Sequence, residues 1–160
     1  MSHIAFVSGA SGLVGIQLLH QLFKNEAIDW VVTFGRRELA LKHQKLVQVK
    51  VDFEHLDKVD LEEEVRKQNM GGDKQSLLKG LSEASTSIIA LSALGTTIKK
   101  AGSKENFRRI DHDYVLDFAR MCLRLGASKF MYVSAIGADA QSAILYNKVK
   151  GEVENGLKRM

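Results

Sequence analysis

The 160-residue sequence contains no proline, a single cysteine and no long apolar run. One cysteine cannot form an internal disulfide or a paired-cysteine site, so Cys122 is expected to be a buried apolar side chain on a helix. The five histidines show no metal-ligand spacing, and no metal is expected. A membrane-spanning helix needs about 18 consecutive apolar residues, which this sequence lacks. With 45% hydrophobic and 26% charged residues, the composition is that of a globular domain rather than a disordered or collagen-like chain.

The chain also lacks a block of like charges. Its net charge is +4, but the basic residues occur as pairs at Arg36-Arg37, Lys99-Lys100 and Arg108-Arg109. Pairs favour a small phosphorylated ligand over a nucleic-acid groove, which needs a basic stripe and an aromatic platform. The first residues lack the basic and apolar regions of a signal peptide. We therefore expect a cytoplasmic protein with no nucleic-acid or membrane partner.

Short β-branched runs alternate with amphipathic helical stretches, which is the pattern of a parallel sheet with helices on both faces. The predicted strands, each apolar on both faces, are Ile4–Val7, Trp30–Phe34, Leu46–Val51, Ser87–Leu91 and Phe130–Ser134. The predicted helices are Leu13–Phe23, Leu61–Gln68, Lys74–Leu81, Phe107–Leu125 and Ala143–Leu157, with a glycine-rich surface loop at residues 69–73. We expect one domain, residues 1–160, with a three-layer α/β/α architecture and a doubly wound parallel sheet of strand order 3-2-1-4-5.

Three glycines follow the first predicted strand and open the first predicted helix. Gly9, Gly12 and Gly15 are spaced by three residues in the segment GASGLVG. A tight turn at Gly9, close approach of the backbone to a pyrophosphate at Gly12 and close helix–strand packing at Gly15 each require glycine. The free N–H groups of the following helix would then face the phosphates. The motif predicts a Rossmann-like dinucleotide-binding domain, with a glycine-rich turn that binds nothing as the alternative.

The second predicted strand ends without a carboxylate at its tip, in the segment TFGRR. An acidic residue there would hold the ribose 2′-hydroxyl of NAD, whereas Arg36, with Arg37 as a second candidate, suits the 2′-phosphate of NADP. The sequence therefore favours NADP(H) over NAD(H), with two solvated arginines as the alternative. After the third strand, Asp52 and Phe53 could border the adenine, or Asp52 could be a helix cap.

A second set of polar residues follows the fifth predicted strand. Ser134 lies at its tip, and Tyr146 and Lys150 are four residues apart in the last helix. Because such residues share a helix face, the Lys150 ammonium can stabilise the Tyr146 phenolate and make the phenol a better proton donor. Such a tyrosine can exchange the proton that accompanies hydride transfer at a carbonyl carbon, with Ser134 orienting the carbonyl oxygen. A Tyr-x-x-x-Lys pair also arises by chance, so its place after the fifth strand carries the argument.

These motifs, in this order, resemble the atypical, extended-type short-chain dehydrogenase/reductase family. The resembling segments are GASGLVG at 9–15, FGRRE at 34–38, VDFEHLD at 51–57, ALGTTIKKAGS at 93–103, FRRIDHDYVLDFAR at 107–120 and LYNKVKGEVE at 145–154. The resemblance implies that NADP(H) is bound by Gly9, Ser11, Gly12, Leu13, Val14, Arg36, Asp52 and Phe53, with Leu94, Gly95 and Thr96 beside it. It also implies Ser134, Tyr146 and Lys150 as the catalytic residues of a reductase.

The chain departs from the family at three places. Residues 66–81 look like an insertion, and Asp111 stands where many members carry a catalytic asparagine. Family members continue past the position of Met160 into a sixth strand and a substrate-covering segment, which we expect to be missing. We expect an NADP(H)-dependent oxidoreductase acting on a carbonyl or hydroxyl group of a small substrate. The alternative is an NADPH-binding regulatory module without turnover, with a protein partner or a second copy of the chain.

Overall fold

The computed structural model describes residues 1–68 and 73–160. Five parallel strands form one sheet in the order β3-β2-β1-β4-β5, which confirms the predicted strand order. The strands are β1 (His3–Ser8), β2 (Trp30–Gly35), β3 (Leu46–Lys50), β4 (Ser87–Ser92) and β5 (Lys129–Tyr132). The helices are α1 (Leu13–Lys24), α2 (Leu61–Lys67), α3 (Lys74–Ser82), α4 (Ile98–Ala101), α5 (Lys104–Arg108), α6 (Tyr114–Arg124) and α7 (Leu145–Lys158). The loop predicted at residues 69–73 lies outside the described residues, except for its last position.

The central strand β1 is buried on both sides of the sheet. Phe6 packs in a core cluster with Phe118 of α6, and the next residue, Val7, packs in a second cluster with Leu19 of α1. Alternation of this kind is expected for a parallel strand with helices on both faces. Burying a side chain of this size stabilises the fold by roughly 1.5–3 kcal/mol. The two clusters therefore confirm the three-layer α/β/α architecture.

The edge strand β5 differs from its prediction. It ends at Tyr132 rather than at Ser134, and it pairs with β4 alone among the described residues. One face packs against α6 through the rings of Phe130 and Phe118, 6.0 Å apart, whereas Met131 on the other face is 47% exposed. The expectation that this strand is buried on both faces is therefore wrong.

The helix predicted over Phe107–Leu125 is helical almost throughout, but it is not α-helical along its whole length. A π-helical segment, Arg109–Asp113, joins α5 to α6. A π-helical turn contains more residues than an α-helical turn, so it changes the face on which a side chain lies. Within this segment Asp111 has no exposed surface. The change from α-helical to π-helical turns therefore occurs where a carboxylate is buried.

Cys122 lies on α6 and is completely buried, as expected from the sequence, and burial raises the pKa of its thiol. Across residues 1–68 and 73–160, no helix has both the length and the hydropathy that crossing a bilayer requires. In the same part of the chain, no group of three or more histidine, cysteine or acidic side chains is arranged to hold a metal ion.

Candidate cofactor site and active site

The loop between β1 and α1 depends on glycine at two positions. Gly9 has a φ angle of +74°, which favours glycine, and a β-carbon there would overlap the backbone of Ala93 and Leu94. A β-carbon on Gly15 would overlap the carbonyl oxygen of Gly9. A β-carbon on Gly12 would lie 3.5 Å from the carbonyl oxygen of Gly9, which is an ordinary van der Waals contact. Packing therefore requires Gly9 and Gly15, whereas Gly12 borders open space.

Helix α1 begins beside this loop without a side-chain cap. The side chains of its first two residues point outward, since Leu13 is 92% exposed and Val14 is 53% exposed. The N–H groups of a first helical turn have no partner within the helix, and they carry the positive end of the helix dipole. The loop and the helix start can therefore bind an anion through the backbone.

A cleft of about 420 Å³ lies where β1, β2 and β3 end. Six of the residues predicted to bind the cofactor line it, namely Gly9, Ser11, Arg36, Arg37, Phe53 and Leu94. Two charged residues that the sequence reasoning missed, Glu38 and Lys50, line the same cleft. Lys50 pairs in register with Gly35, immediately before the two arginines. Lys50 could have been predicted from the sequence, because it is a cation at the carboxyl end of β3 and neighbouring parallel strands end at the same side of the sheet.

Asp52 does not line this cleft. It accepts a hydrogen bond of 3.0 Å from the backbone N–H of Glu54 and caps a 3-10 turn, Phe53–Lys58, so it is a helix cap. The neighbouring Phe53 is buried, with its ring 5.3 Å from that of Tyr114. The Tyr114 hydroxyl donates a hydrogen bond of 2.5 Å to Glu54, and partial burial together with that carboxylate raises the pKa of Tyr114 to about 12.

Tyr146 and Lys150 lie close together on α7. The Lys150 ammonium is 5.7 Å from the centre of the Tyr146 ring. Lys150 is 3% exposed, whereas Tyr146 is 38% exposed and stacks on Phe107 with 6.0 Å between ring centres. A buried cation next to an accessible phenol can stabilise the phenolate that proton donation leaves behind.

The Lys150 ammonium also forms a buried ion pair. Its Nζ lies 3.1 Å from Oδ1 of Asp111, while Oδ2 of Asp111 accepts a hydrogen bond of 2.8 Å from the backbone N–H of Thr96. Burial raises the pKa of Asp111, and the ammonium and this N–H act in the opposite direction. A β-carbon on Gly95 would lie 3.4 Å from Oδ1 of Asp111 and 3.5 Å from Nζ of Lys150. The loop after β4 therefore contacts the ion pair directly.

The side-chain hydrogen bond of Ser134 goes to Glu154 and not to Tyr146. Its hydroxyl donates to Oε1 of Glu154 at 2.6 Å. Tyr132, at the end of β5, has a buried hydroxyl without a hydrogen-bond partner in the described part of the chain. Its ring centre lies 5.0 Å from the Lys150 ammonium, and burial raises its pKa. Sequence reasoning missed Tyr132 and Glu154, although Glu154 follows Lys150 by the same four-residue step that links Lys150 to Tyr146.

The fold is a parallel sheet in which a glycine loop follows the carboxyl end of the central strand β1, and three basic residues line the adjoining cleft. These features define a Rossmann-like dinucleotide-binding protein. Residues 5–143 match the NAD dependent epimerase/dehydratase family, and the chain belongs to this family. It is 35% identical to Protein HTATIP2 of Rattus norvegicus, over 97% of this chain and 56% of that protein. It is 33% identical to Protein FMP52-1, mitochondrial, of Scheffersomyces stipitis, over 96% of this chain and 59% of that protein. The chain thus spans less than two thirds of the length of these curated relatives.

Solved structures share the fold at low sequence identity. UDP-glucose 4-epimerase of Thermotoga maritima, with UDP-glucose, superposes with a TM-score of 0.65 at 11% identity, covering 98% of this chain and 50% of that one. Uronate dehydrogenase of Agrobacterium tumefaciens gives a TM-score of 0.62 at 15% identity, covering 97% and 55%. Together with the family match, these similarities confirm the resemblance to short-chain dehydrogenases/reductases that the motifs indicate.

The expected cytoplasmic location is contradicted by the fungal relatives. The similar proteins of Scheffersomyces stipitis, Candida albicans and Emericella nidulans are all named as mitochondrial. The reasoning failed because the first residues of this sequence do not distinguish the cytoplasm from an organelle.

Proposed function

We propose that this chain binds NADP(H) and takes part in reducing a carbonyl group, or oxidising a hydroxyl group, of a small substrate. The observation that supports this most directly is the accessible phenol of Tyr146 beside the buried ammonium of Lys150. A series of contacts links this pair to the glycine loop. Lys150 lies against Gly95, and the neighbouring Leu94 lies against the backbone of Gly9. These contacts support a single site that contains both the proton donor and the cofactor loop.

The residues present fit a phosphorylated dinucleotide. The uncapped start of α1 and the open space at Gly12 suit a pyrophosphate. Arg36, Arg37 and Lys50 line a cleft of about 420 Å³, and three cations suit the additional phosphate that distinguishes NADP from NAD. The bound cofactor supplies the hydride that adds to the carbonyl carbon.

The side chains of this site then handle the proton. The Tyr146 hydroxyl donates a proton to the oxygen of the carbonyl group, and the Lys150 ammonium stabilises the phenolate that remains. Asp111 offsets part of the Lys150 charge, because the two groups are 3.1 Å apart. Ser134 can donate to the substrate oxygen only after its hydroxyl turns away from Glu154.

Removal of the Tyr146 hydroxyl tests this function. NADPH consumption is followed over a panel of aldehydes and ketones, with and without the substitution Tyr146→Phe. We expect turnover to fall by about 10²–10⁴, the usual contribution of a positioned proton donor. The NADPH affinity, measured by fluorescence, is the control and changes less than about threefold, since the cleft is untouched. Unchanged turnover removes Tyr146 from the mechanism, and NADPH binding without turnover on any substrate favours the regulatory alternative.

A further inference from the structure

Asp111 and Lys150 are the two charged side chains that are buried in the described ranges. The proposed proton transfer uses Lys150 and Tyr146, and Asp111 enters it only as the carboxylate that offsets part of the Lys150 charge. Removing two charges from water costs free energy that their attraction often fails to recover, so a buried ion pair is a poor means of stabilising a fold. The cost points to a role for the Asp111 carboxylate beyond neutralising Lys150.

The two oxygens of Asp111 contact different parts of the site. Oδ1 lies 3.1 Å from the Lys150 ammonium on α7. Oδ2 accepts a hydrogen bond of 2.8 Å from the Thr96 N–H in the loop after β4. Two residues before Thr96, Leu94 lines the cleft and lies against Gly9. One rigid carboxylate therefore connects the loop that borders the cofactor cleft with the helix that carries the proton donor.

The local backbone holds this carboxylate in a narrow space. The π-helical segment Arg109–Asp113 contains Asp111, and π-helical turns inside helices occur frequently at functional sites. On the opposite side, Gly95 leaves only ordinary van der Waals room, since a β-carbon there would already lie 3.4 Å from Oδ1. A larger residue at position 95 would press on the ion pair, so the three groups have little freedom to move independently.

Resting on the proposed role of Lys150, we propose that Asp111 is a positioning residue that couples the loop after β4 to the Tyr146–Lys150 pair. Movement of the loop when a dinucleotide binds is transmitted through the carboxylate to the ammonium next to Tyr146. The coupling is reciprocal, because a coupling free energy between two sites acts equally in both directions. Loss of the Lys150 charge therefore loosens a loop that Lys150 does not bind through its own hydrogen bonds.

Amide hydrogen exchange at Thr96 tests the coupling on the ligand-free protein. We expect Lys150→Met to accelerate exchange of the Thr96 N–H by about tenfold, because the carboxylate that holds this N–H loses its counter-ion. The matched control is Lys148→Met, an exposed lysine on the same helix, which leaves the Thr96 rate within about twofold. An unchanged Thr96 rate in Lys150→Met overturns the proposal.

A double-mutant cycle on NADPH affinity gives a second readout that needs no turnover. We expect Asp111→Asn and Lys150→Met each to weaken NADPH binding, and the double variant to bind no more weakly than the poorer single variant. Losses that multiply in the double variant overturn the proposal, since they indicate independent effects.

If Lys150→Met does not fold, Asp111→Asn is compared with the double variant, which has neither buried charge. Their Thr96 exchange rates are expected to agree within about threefold, and a further tenfold increase overturns the coupling.

These measurements separate the coupling from the proposed function. A Tyr146→Phe variant with unchanged turnover refutes the reductase mechanism and leaves the Thr96 result standing. An amide exchange rate at Thr96 that is unchanged in Lys150→Met refutes the coupling and leaves the role of Tyr146 standing.

Discussion

The hydroxyl of Ser134 donates a hydrogen bond to the carboxylate of Glu154, with 2.6 Å between the two oxygens. Ser134 follows β5 and Glu154 lies on α7, so this bond ties the end of the edge strand to the last helix. A hydrogen bond to a charged group contributes more to stability than one between neutral groups. Ser134 therefore has a structural role in addition to the one that the sequence suggests.

Replacing Ser134 by alanine is expected to destabilise the protein. We expect Ser134→Ala to lower the free energy of unfolding by about 1–2 kcal/mol, because Glu154 loses its donor in a half-buried position. Urea denaturation measures the change, and the exposed Ser85→Ala, expected within about 0.5 kcal/mol of the wild type, is the control. Equal stability of the wild type and Ser134→Ala would show that this bond does not hold the strand end.

The glycine loop allows binding and folding to be separated. A β-carbon at Gly12 makes only an ordinary contact, so we expect Gly12→Ala to cost less than about 1 kcal/mol of stability. The same carbon occupies the open space beside the start of α1, and NADPH affinity is expected to fall by at least about tenfold. Gly9→Ala is the contrasting variant, since its β-carbon would overlap the β4 loop and destabilise the fold itself. Unimpaired NADPH binding by Gly12→Ala would place the phosphates elsewhere.

Arg36 is expected to determine the choice of cofactor. A charge-assisted pair between an arginine and a phosphate contributes about 1.5–3 kcal/mol, so NADPH should bind at least about tenfold more tightly than NADH. Arg36→Ala should remove most of that difference while changing NADH affinity little. Calorimetry with both cofactors measures the ratio, with Arg120→Ala as a control, because Arg120 is paired with Asp117 outside the cleft. Equal affinities in the unsubstituted chain would contradict the proposed preference for NADP(H).

The hydrogen bond between Tyr114 and Glu54 predicts a dependence of stability on alkaline pH. The pKa of Tyr114 is raised from 10.0 to about 12 in the folded chain, so between these values the unfolded state loses the phenolic proton first. The contribution of this group is complete below pH 10 and declines as the pH rises towards 12. Urea denaturation across this window should show a steeper loss of stability in the wild type than in Tyr114→Phe. Parallel dependences of stability on pH in the wild type and Tyr114→Phe would contradict a raised pKa of Tyr114.

Most of the fold could be predicted because the apolar pattern follows the sheet closely. The segments around Val7, Val32 and Ala90 are apolar on both faces, which only a sheet covered on both sides requires. The strand order follows from the Rossmann-like glycine loop rather than from any strand pattern. The edge strand is where the prediction fails, because a short apolar run looks the same whether or not a further layer covers Met131.

The candidate site was predictable in its residue types and less so in its contacts. The helical spacing brings Tyr146 and Lys150 together, but the partner of Lys150 depends on a π-helical turn that a regular 3.6-residue period does not show. The sequence therefore identifies Asp111 as a departure from the family without showing that its carboxylate contacts Lys150. The direction of the Ser134 hydroxyl likewise depends on a rotamer, which residue spacing does not determine.

The buried position of Cys122 makes the chain's single thiol a reporter of opening motions. Thiolates, not thiols, react with alkylating reagents. The Cys122 thiol lies on α6, has no exposed surface, and has its pKa raised by burial. Where reclosing is faster than labelling, the labelling rate of the unmodified chain is proportional to the fraction of open molecules, so it measures the free energy of that opening without any substitution. A cysteine introduced on the surface would carry a fluorophore selectively, because the native thiol does not compete while the fold is closed.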